Sequence, residues 1–353
     1  MDARRGCYLP LCAGALLLLP FLLSTNILVT VGFVLAERAL YLSVAGAALV
    51  VARGDQLLRQ RFPLLRPAFP IIVVLLALRS ATRSHDWSSE MKLFTSGLSV
   101  CPSNAKVHYN MAKLWADQGE VEAALLSYRE AVRLAPSYEH ALNNLGNLEK
   151  GRGKLGQAAL LLRRATDVAP EFAAAHMNLG IVVQAQEKVE EAEKHYLRAL
   201  DLRKPYRDCE YNLGNLYLKQ GRLGEAEERL RKAAEKGHML AWGNLVLLLE
   251  DLGRQEESHN TAVQAVKLFP SSPELRFHLA NSLGKRGQQE EAEQNYLATL
   301  SLAPRPKAGY HANLGVLYHR WGKLQEAVSS YQAALALDPG LASARKNLAR
   351  LTG

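Results

Sequence analysis

The sequence predicts an all-α protein in which a short N-terminal transmembrane helical region is followed by a helical-repeat solenoid. Three observations carry that prediction. The phrase Asn-Leu-Gly returns at Asn144, Asn178, Asn212 and Asn313, with variants at Asn110-Met111-Ala112, Asn244-Leu245-Val246 and His278-Leu279-Ala280. Successive copies lie about 34 residues apart, the period of a helix-turn-helix repeat, and glycine and proline punctuate nearly every copy. Ahead of them, apolar runs alternate with arginines.

The N-terminal runs come first. Arg4-Arg5 precede an apolar run from Cys7 to Leu23, which fits either a retained span or a cleaved signal peptide. A second candidate covers Val29 to Val51 and is interrupted by Glu37-Arg38, a pair that belongs at a membrane interface or in a polar cavity. The third, Leu64 to Leu78, centres on Ile71-Ile72-Val73-Val74-Leu75-Leu76. The arginine-rich loop from Arg53 to Arg66 is expected in the cytosol, which places everything after Leu78 on the luminal or exterior side. These arginines also account for much of the net charge of +9, so the basic balance points to membrane topology rather than to nucleic acid.

The repeats read as tetratricopeptide (TPR) units. Residues 85–104 resemble the second half of a repeat, seven full copies follow over 105–341, and 342–353 form a capping helix. The copies run 105–138, 139–172, 173–206, 207–238, 239–272, 273–307 and 308–341, the fourth being short, with His238 where others have proline. Gly146, Gly180, Gly214 and Gly315 sit where two helices must approach closely. Gly119, Gly153, Gly221, Gly253, Gly287 and Gly322 recur at the inter-helix turn, and Pro136, Pro170, Pro270, Pro304 and Pro339 stop the second helix. Trp115, Tyr128, Tyr196, Tyr217, Tyr296, Tyr318 and Tyr331 fall at interior positions and are expected in the core.

A solenoid of this type binds protein or peptide in a concave groove. The candidate contacts are Asn110, Asn144, Asn178, Asn212, Asn244 and Asn313, with His278 in the sixth copy, because one position repeated through stacked units forms a ladder. A carboxamide donates and accepts, which suits an extended peptide backbone. The opposing reading is that each amide only bonds neighbouring helix ends. Lys106, Lys113 and Asn147 do not reproduce the clamp by which chaperone-binding TPR domains hold a terminal carboxylate. No phosphate loop, metal motif or nucleophile elbow is present, and His108, His140 and His176 read as groove or surface residues. Cys7, Cys12, Cys101 and Cys209 are scattered and do not define a redox compartment.

The stretch Val31-Gly32-Phe33-Val34-Leu35-Ala36-Glu37-Arg38-Ala39-Leu40-Tyr41-Leu42, then Arg83-Ser84-His85-Asp86-Trp87 and Leu93-Phe94-Thr95-Ser96-Gly97-Leu98, resembles the transmembrane-and-TPR (TMTC) family of endoplasmic-reticulum proteins. The resemblance extends from about Pro20 to the C-terminus, and the fourth vertebrate branch of the family is the nearest. It implies a role in protein O-mannosylation, with dolichyl-phosphate mannose as donor and cadherin-type domains as acceptors. It also implies a C-type glycosyltransferase membrane domain, of which residues 1–84 are the remnant, with a luminal TPR tail in the endoplasmic-reticulum membrane. Glu37 and Arg38 match a family motif, whereas the acidic catalytic loop of the family has no counterpart here. No transferase activity is therefore expected of this chain alone, and a non-enzymatic luminal adaptor is the alternative.

Overall fold

The computed structural model describes residues 12–18, 41–62 and 67–352. They divide into two compact units, 1–97 and 98–353.

In the first unit, α1 (12–18) packs against α2 (Tyr41–Arg61). Contact is close because Gly46 has no side chain: a Cβ there would lie 2.7 Å from the Ala13 carbonyl oxygen. α3 (Ala68–Asp86) is followed by α4 (Glu90–Val100), and Arg83 ties their ends by donating to Asp86, at 3.3 Å, and to Ser96, at 3.0 Å.

The expected membrane spans are not found here: no helix among the described residues is long and apolar enough to cross a membrane. The reason lies in where the charges fall. The second half of α2 carries Arg53, Asp55, Arg59 and Arg61, and the apolar part of α3 ends at Leu78, before Arg79, Arg83 and Asp86. Most of the first candidate span, and the Glu37-Arg38 pair, lie outside the described residues. What α3 does present is exposed apolar surface, with Ile71 through Leu76 between 47% and 60% accessible.

The second unit is a stack of helix pairs: α5 (Ala105–Asp117) with α6 (Val121–Leu134), α7 (Glu139–Gly151) with α8 (Leu155–Val168), and α9 (Ala173–Ala185) with α10 (Val189–Leu202). Then come α11 (Arg207–Lys219) with α12 (Leu223–Glu235), α13 (Met239–Asp251) with α14 (Gln255–Leu268), α15 (Pro273–Lys285) with α16 (Gln289–Leu302), and α17 (Ala308–Trp321) with α18 (Leu324–Leu337). A last helix, α19 (Ala342–Thr352), ends the stack.

Local chemistry sets these boundaries. Asn104 caps α5 by accepting from the amides of Lys106 and Val107, and Ser272 caps α15 just before Pro273. In the short fourth copy, α12 loses one residue relative to the other second helices, and His238 becomes the cap of α13, its Nδ1 accepting from Ala241 N. The turn between the helices of a pair needs one left-handed residue. Glycine supplies it in six copies, and in the third copy Glu187 does so at φ 63°.

Within a pair, the first helix presents a small residue to a large one on the second. A Cβ on Gly180 would lie 2.7 Å from the Tyr196 ring, one on Gly315 2.7 Å from Tyr331, and one on Gly146 2.7 Å from Leu162. The expected core aromatics are buried: Tyr128, Tyr196, Tyr217, Tyr296, Tyr318 and Tyr331 are all below 8% exposed, and Trp115 packs at the edge of the same core. Neighbouring copies are also tied by charge. Glu193 accepts from Tyr217 and Arg222 of the next copy, and Glu293 from Tyr318 and Lys323. First helices of adjacent copies touch one another, as α7 does α9 and α15 does α17, whereas second helices mainly touch their own partner and the next first helix. Closer approach on the first-helix side makes that side the inner face of the curve.

Candidate peptide groove

The ladder positions all lie on first helices, α5, α7, α9, α11, α13, α15 and α17, one residue before the leucine, or in α5 the methionine, that enters the core. That register leaves them half-buried at the edge of the inner face, apart from Asn178, which is 8% exposed.

The rungs do not bond to one another directly. Asn178 donates to Asn143 at 2.9 Å, Asn244 to Asn215 at 2.6 Å and Asn313 to Asn281 at 3.0 Å, so each spans the joint to a second amide in the preceding copy. Asn144 donates to the hydroxyls of Tyr109 and Tyr128, both at 3.3 Å. Asn110 and Asn212 have no side-chain partner among the described residues. His278, in the amide's place, fits because its neighbour across the joint is Gly243, where a Cβ would sit 3.4 Å from the imidazole Nε2. Burial holds this imidazole's pKa below the usual histidine value.

Two clefts open on this face. One, of about 530 Å³, is lined by Gln184, Asn212, Asn215 and Asn244 with Ile181, Leu218 and Lys219. The other, of about 250 Å³, is lined by Asn281, Asn313, Lys285 and Arg320 with Val316 and Leu317. Tyr196 and Tyr296 form their floors, donating to Gln184 at 2.7 Å and to Asn281 at 2.5 Å. The chemistry on offer is therefore carboxamide donors and acceptors beside aliphatic surface, with one or two cations in each cleft.

Sequence reading missed Asn143, Asn215 and Asn281, the partners of the rungs. Asn215 and Asn281 stand three residues after a ladder position, one turn along the same helix face, which is the signal that was available. It also missed an eighth rung, Asn347 in α19, in the variant phrase Asn347-Leu348-Ala349 placed 34 residues after Asn313. Asn347 lies beside the buried Tyr331 hydroxyl, which has no well-oriented hydrogen-bond partner.

Tetratricopeptide-repeat profiles match residues 76–139, 171–236, 211–273 and 308–341, more than half of the sequence together. The chain is a tetratricopeptide-repeat protein. Among solved structures, Pseudomonas aeruginosa pilF is 23% identical and superposes with a TM-score of 0.53 over 60% of this chain and 97% of that one. A Parabacteroides merdae tetratricopeptide repeat protein superposes with a TM-score of 0.51 at 18% identity, over 70% and 99%. Both likenesses speak to the fold alone.

Sequence relatives are more specific, and they include protein O-mannosyl-transferases, several of them named TMTC. The mouse protein O-mannosyl-transferase TMTC4 is 47% identical over 116 residues, 32% of this chain and 16% of that protein. A Caenorhabditis elegans protein O-mannosyl-transferase is 42% identical over 122 residues, 35% and 18% of the two chains, and Drosophila Tmtc3 is 38% identical over 129 residues, 35% and 14%. The match thus spans about a sixth of the length of these curated relatives.

Proposed function

We propose that the repeat array holds an extended segment of an acceptor protein in its inner groove, in the service of protein O-mannosylation in the endoplasmic-reticulum lumen. The observation that carries this is the pair of clefts on the inner face, each walled by carboxamides and aliphatic side chains, with the Asn212 amide unengaged. An unengaged amide beside an apolar pocket suits a peptide backbone and its side chains together. TPR repeats in general bind protein or peptide, and the relatives' names supply mannosyl transfer as the reaction being served. In this reading the ladder from Asn110 to Asn313, His278 included, grips the acceptor. Cadherin-type domains are the acceptor class implied by the family resemblance, and dolichyl-phosphate mannose is the donor, for which no residue of this chain is assigned.

The test is binding of labelled extended peptides to the full chain, with Asn212→Ala and Asn244→Ala as variants. Loss of about tenfold in affinity per lost backbone contact is expected, and unchanged affinity in both variants would remove the groove assignment. Compartment is tested separately by protease protection in microsomes. The array should resist digestion until detergent is added.

A further inference from the structure

The cations of the two clefts occupy one register position. Lys219 lies seven residues beyond Asn212, and Arg320 seven beyond Asn313, so both sit at the same place near the C-terminal end of a first helix. The corresponding residues of the other copies are Asp117, Gly151, Ala185, Asp251 and Lys285. The first four carry no positive charge. Lys285 shares the second cleft but is already held by Glu250 at 2.9 Å.

Lys219 and Arg320 are exposed, and among the described residues neither has an acidic partner. Nor does any Asp or Glu line either cleft; apart from Lys285, the neighbouring polar groups are neutral amides and tyrosines. This contrasts with the rest of the array, where exposed arginines are commonly engaged, as Arg163 is by Glu191 and Arg231 is by Glu227. An unpaired cation in such a cleft is left to water and to whatever anion a ligand brings, and the guanidinium offers a carboxylate two parallel hydrogen bonds.

We propose that the occupant of the groove is an acidic extended segment, with Asp or Glu carboxylates seated on Lys219 and Arg320 and the intervening backbone on the amides. The proposal rests on the groove reading above and adds the charge of the partner. Two cations at one register position, three copies apart, set a periodic requirement. A segment with acids clustered at one end satisfies only one of them.

The experiment uses the full chain and three labelled peptides of equal length: one rich in Asp, Ser and Gly, its Asn-for-Asp counterpart, and its Lys-for-Asp counterpart. The Asp peptide is expected to bind about fivefold more tightly than the Asn peptide, with the advantage shrinking as salt is raised. In the double variant Lys219→Gln, Arg320→Gln that advantage should disappear while binding of the Asn peptide is retained. Both side chains are exposed and unpaired, so the thermal midpoint of the variant should match that of the parent. Equal binding of Asp and Asn peptides, or a preference that survives the double variant, overturns the acidic partner and leaves the groove standing. Failure of all three peptides to bind overturns the groove itself.

Discussion

The fifth copy of the array and its neighbours solve the same packing problem in opposite ways. In the second, third, fourth and seventh copies a glycine on the first helix faces a leucine or tyrosine on the second: Gly146 with Leu162, Gly180 with Tyr196, Gly214 with Leu230 and Gly315 with Tyr331. In the fifth copy the small residue has moved across the interface, so that Val246 stands in the glycine's place and Ala262 in that of the large residue, both fully buried. The sum of volumes is what the repeat conserves, and either helix can carry the bulk. Around this inverted pair the other regularities also lapse. His259 replaces the acid that Glu193, Glu227 and Glu293 provide elsewhere, and it bonds Ser282 instead of a basic turn residue. The next ladder position is His278. A copy that departs from the phrase at one position thus departs at several, because each joint is shared with its neighbour.

The largest effect should come from imposing one solution on the other. Gly180→Val drives a methyl into the Tyr196 ring, where even a bare Cβ would lie at 2.7 Å. Destabilisation of about 3 kcal/mol is expected in thermal or urea unfolding. Val246→Gly opens a void against Ala262 and removes helix propensity, costing a similar amount. The decisive variant is Gly180→Val combined with Tyr196→Ala, which copies the fifth-copy arrangement. Its cost should fall well below the sum of the two single changes, and simple additivity would show that the inversion is not what makes copy five stable.

A smaller effect separates the copies by acidity. His176, His195, His238, His259, His278 and His311 all have pKa values below the usual histidine value, in each case chiefly through burial. Depressed values mean that the unfolded chain takes up protons first. Stability is therefore full above the unfolded histidine range, near pH 6.5, and is lost as pH falls through the folded values. The His176–His195 pair sharpens this, because the two Nδ1 atoms are 3.1 Å apart and share one proton, not two. Glu191 lies 3.8 Å from His195 Nε2 and partly offsets the repulsion, while Arg163 and Arg198 add to it. Urea midpoints measured between about pH 7.5 and pH 5 should fall, and His195→Gln should flatten the slope.

Much of this array was legible because its repeat has physical content. Close approach demands glycine, the turn demands a left-handed residue and the second helix must stop, so the period, the helix pairs and the core aromatics followed from spacing alone. The site was legible only in part. The phrase exposed the rungs, but Asn215, Asn281, Lys219 and Arg320 lie outside it, and their roles appear once the first helices are stacked on one face. Asn347 was hidden because its helix has no second helix to complete a copy and so reads as a cap. The N-terminal region was legible in its apolar runs and not in its helix boundaries. Hydropathy identifies apolar runs, yet helix boundaries are set by the backbone, and α2 and α3 extend past their apolar parts into Arg53–Arg61 and Arg79–Asp86.

The smallest predicted effect concerns the one copy whose turn has no glycine. Glu187 holds φ at 63°, a conformation that costs a residue with a Cβ more than it costs glycine, and the equivalent turn residues Gly153 and Gly221 sit at 76° and 73°. Glu187→Gly relieves that strain and adds entropy to the unfolded chain, two effects of opposite sign and similar size. The side chain is exposed and makes no ion pair among the described residues, so nothing else is lost. Relief should win, because the strain exceeds the entropic cost of glycine. A gain of about 0.5 kcal/mol, or a rise of about 1 to 2 °C in the unfolding midpoint, is expected. Glu187→Ala removes the charge but keeps the Cβ, and should leave the midpoint where it was. If the alanine variant gains as much as the glycine variant, the turn is not strained and the third copy does not differ from its neighbours in this respect.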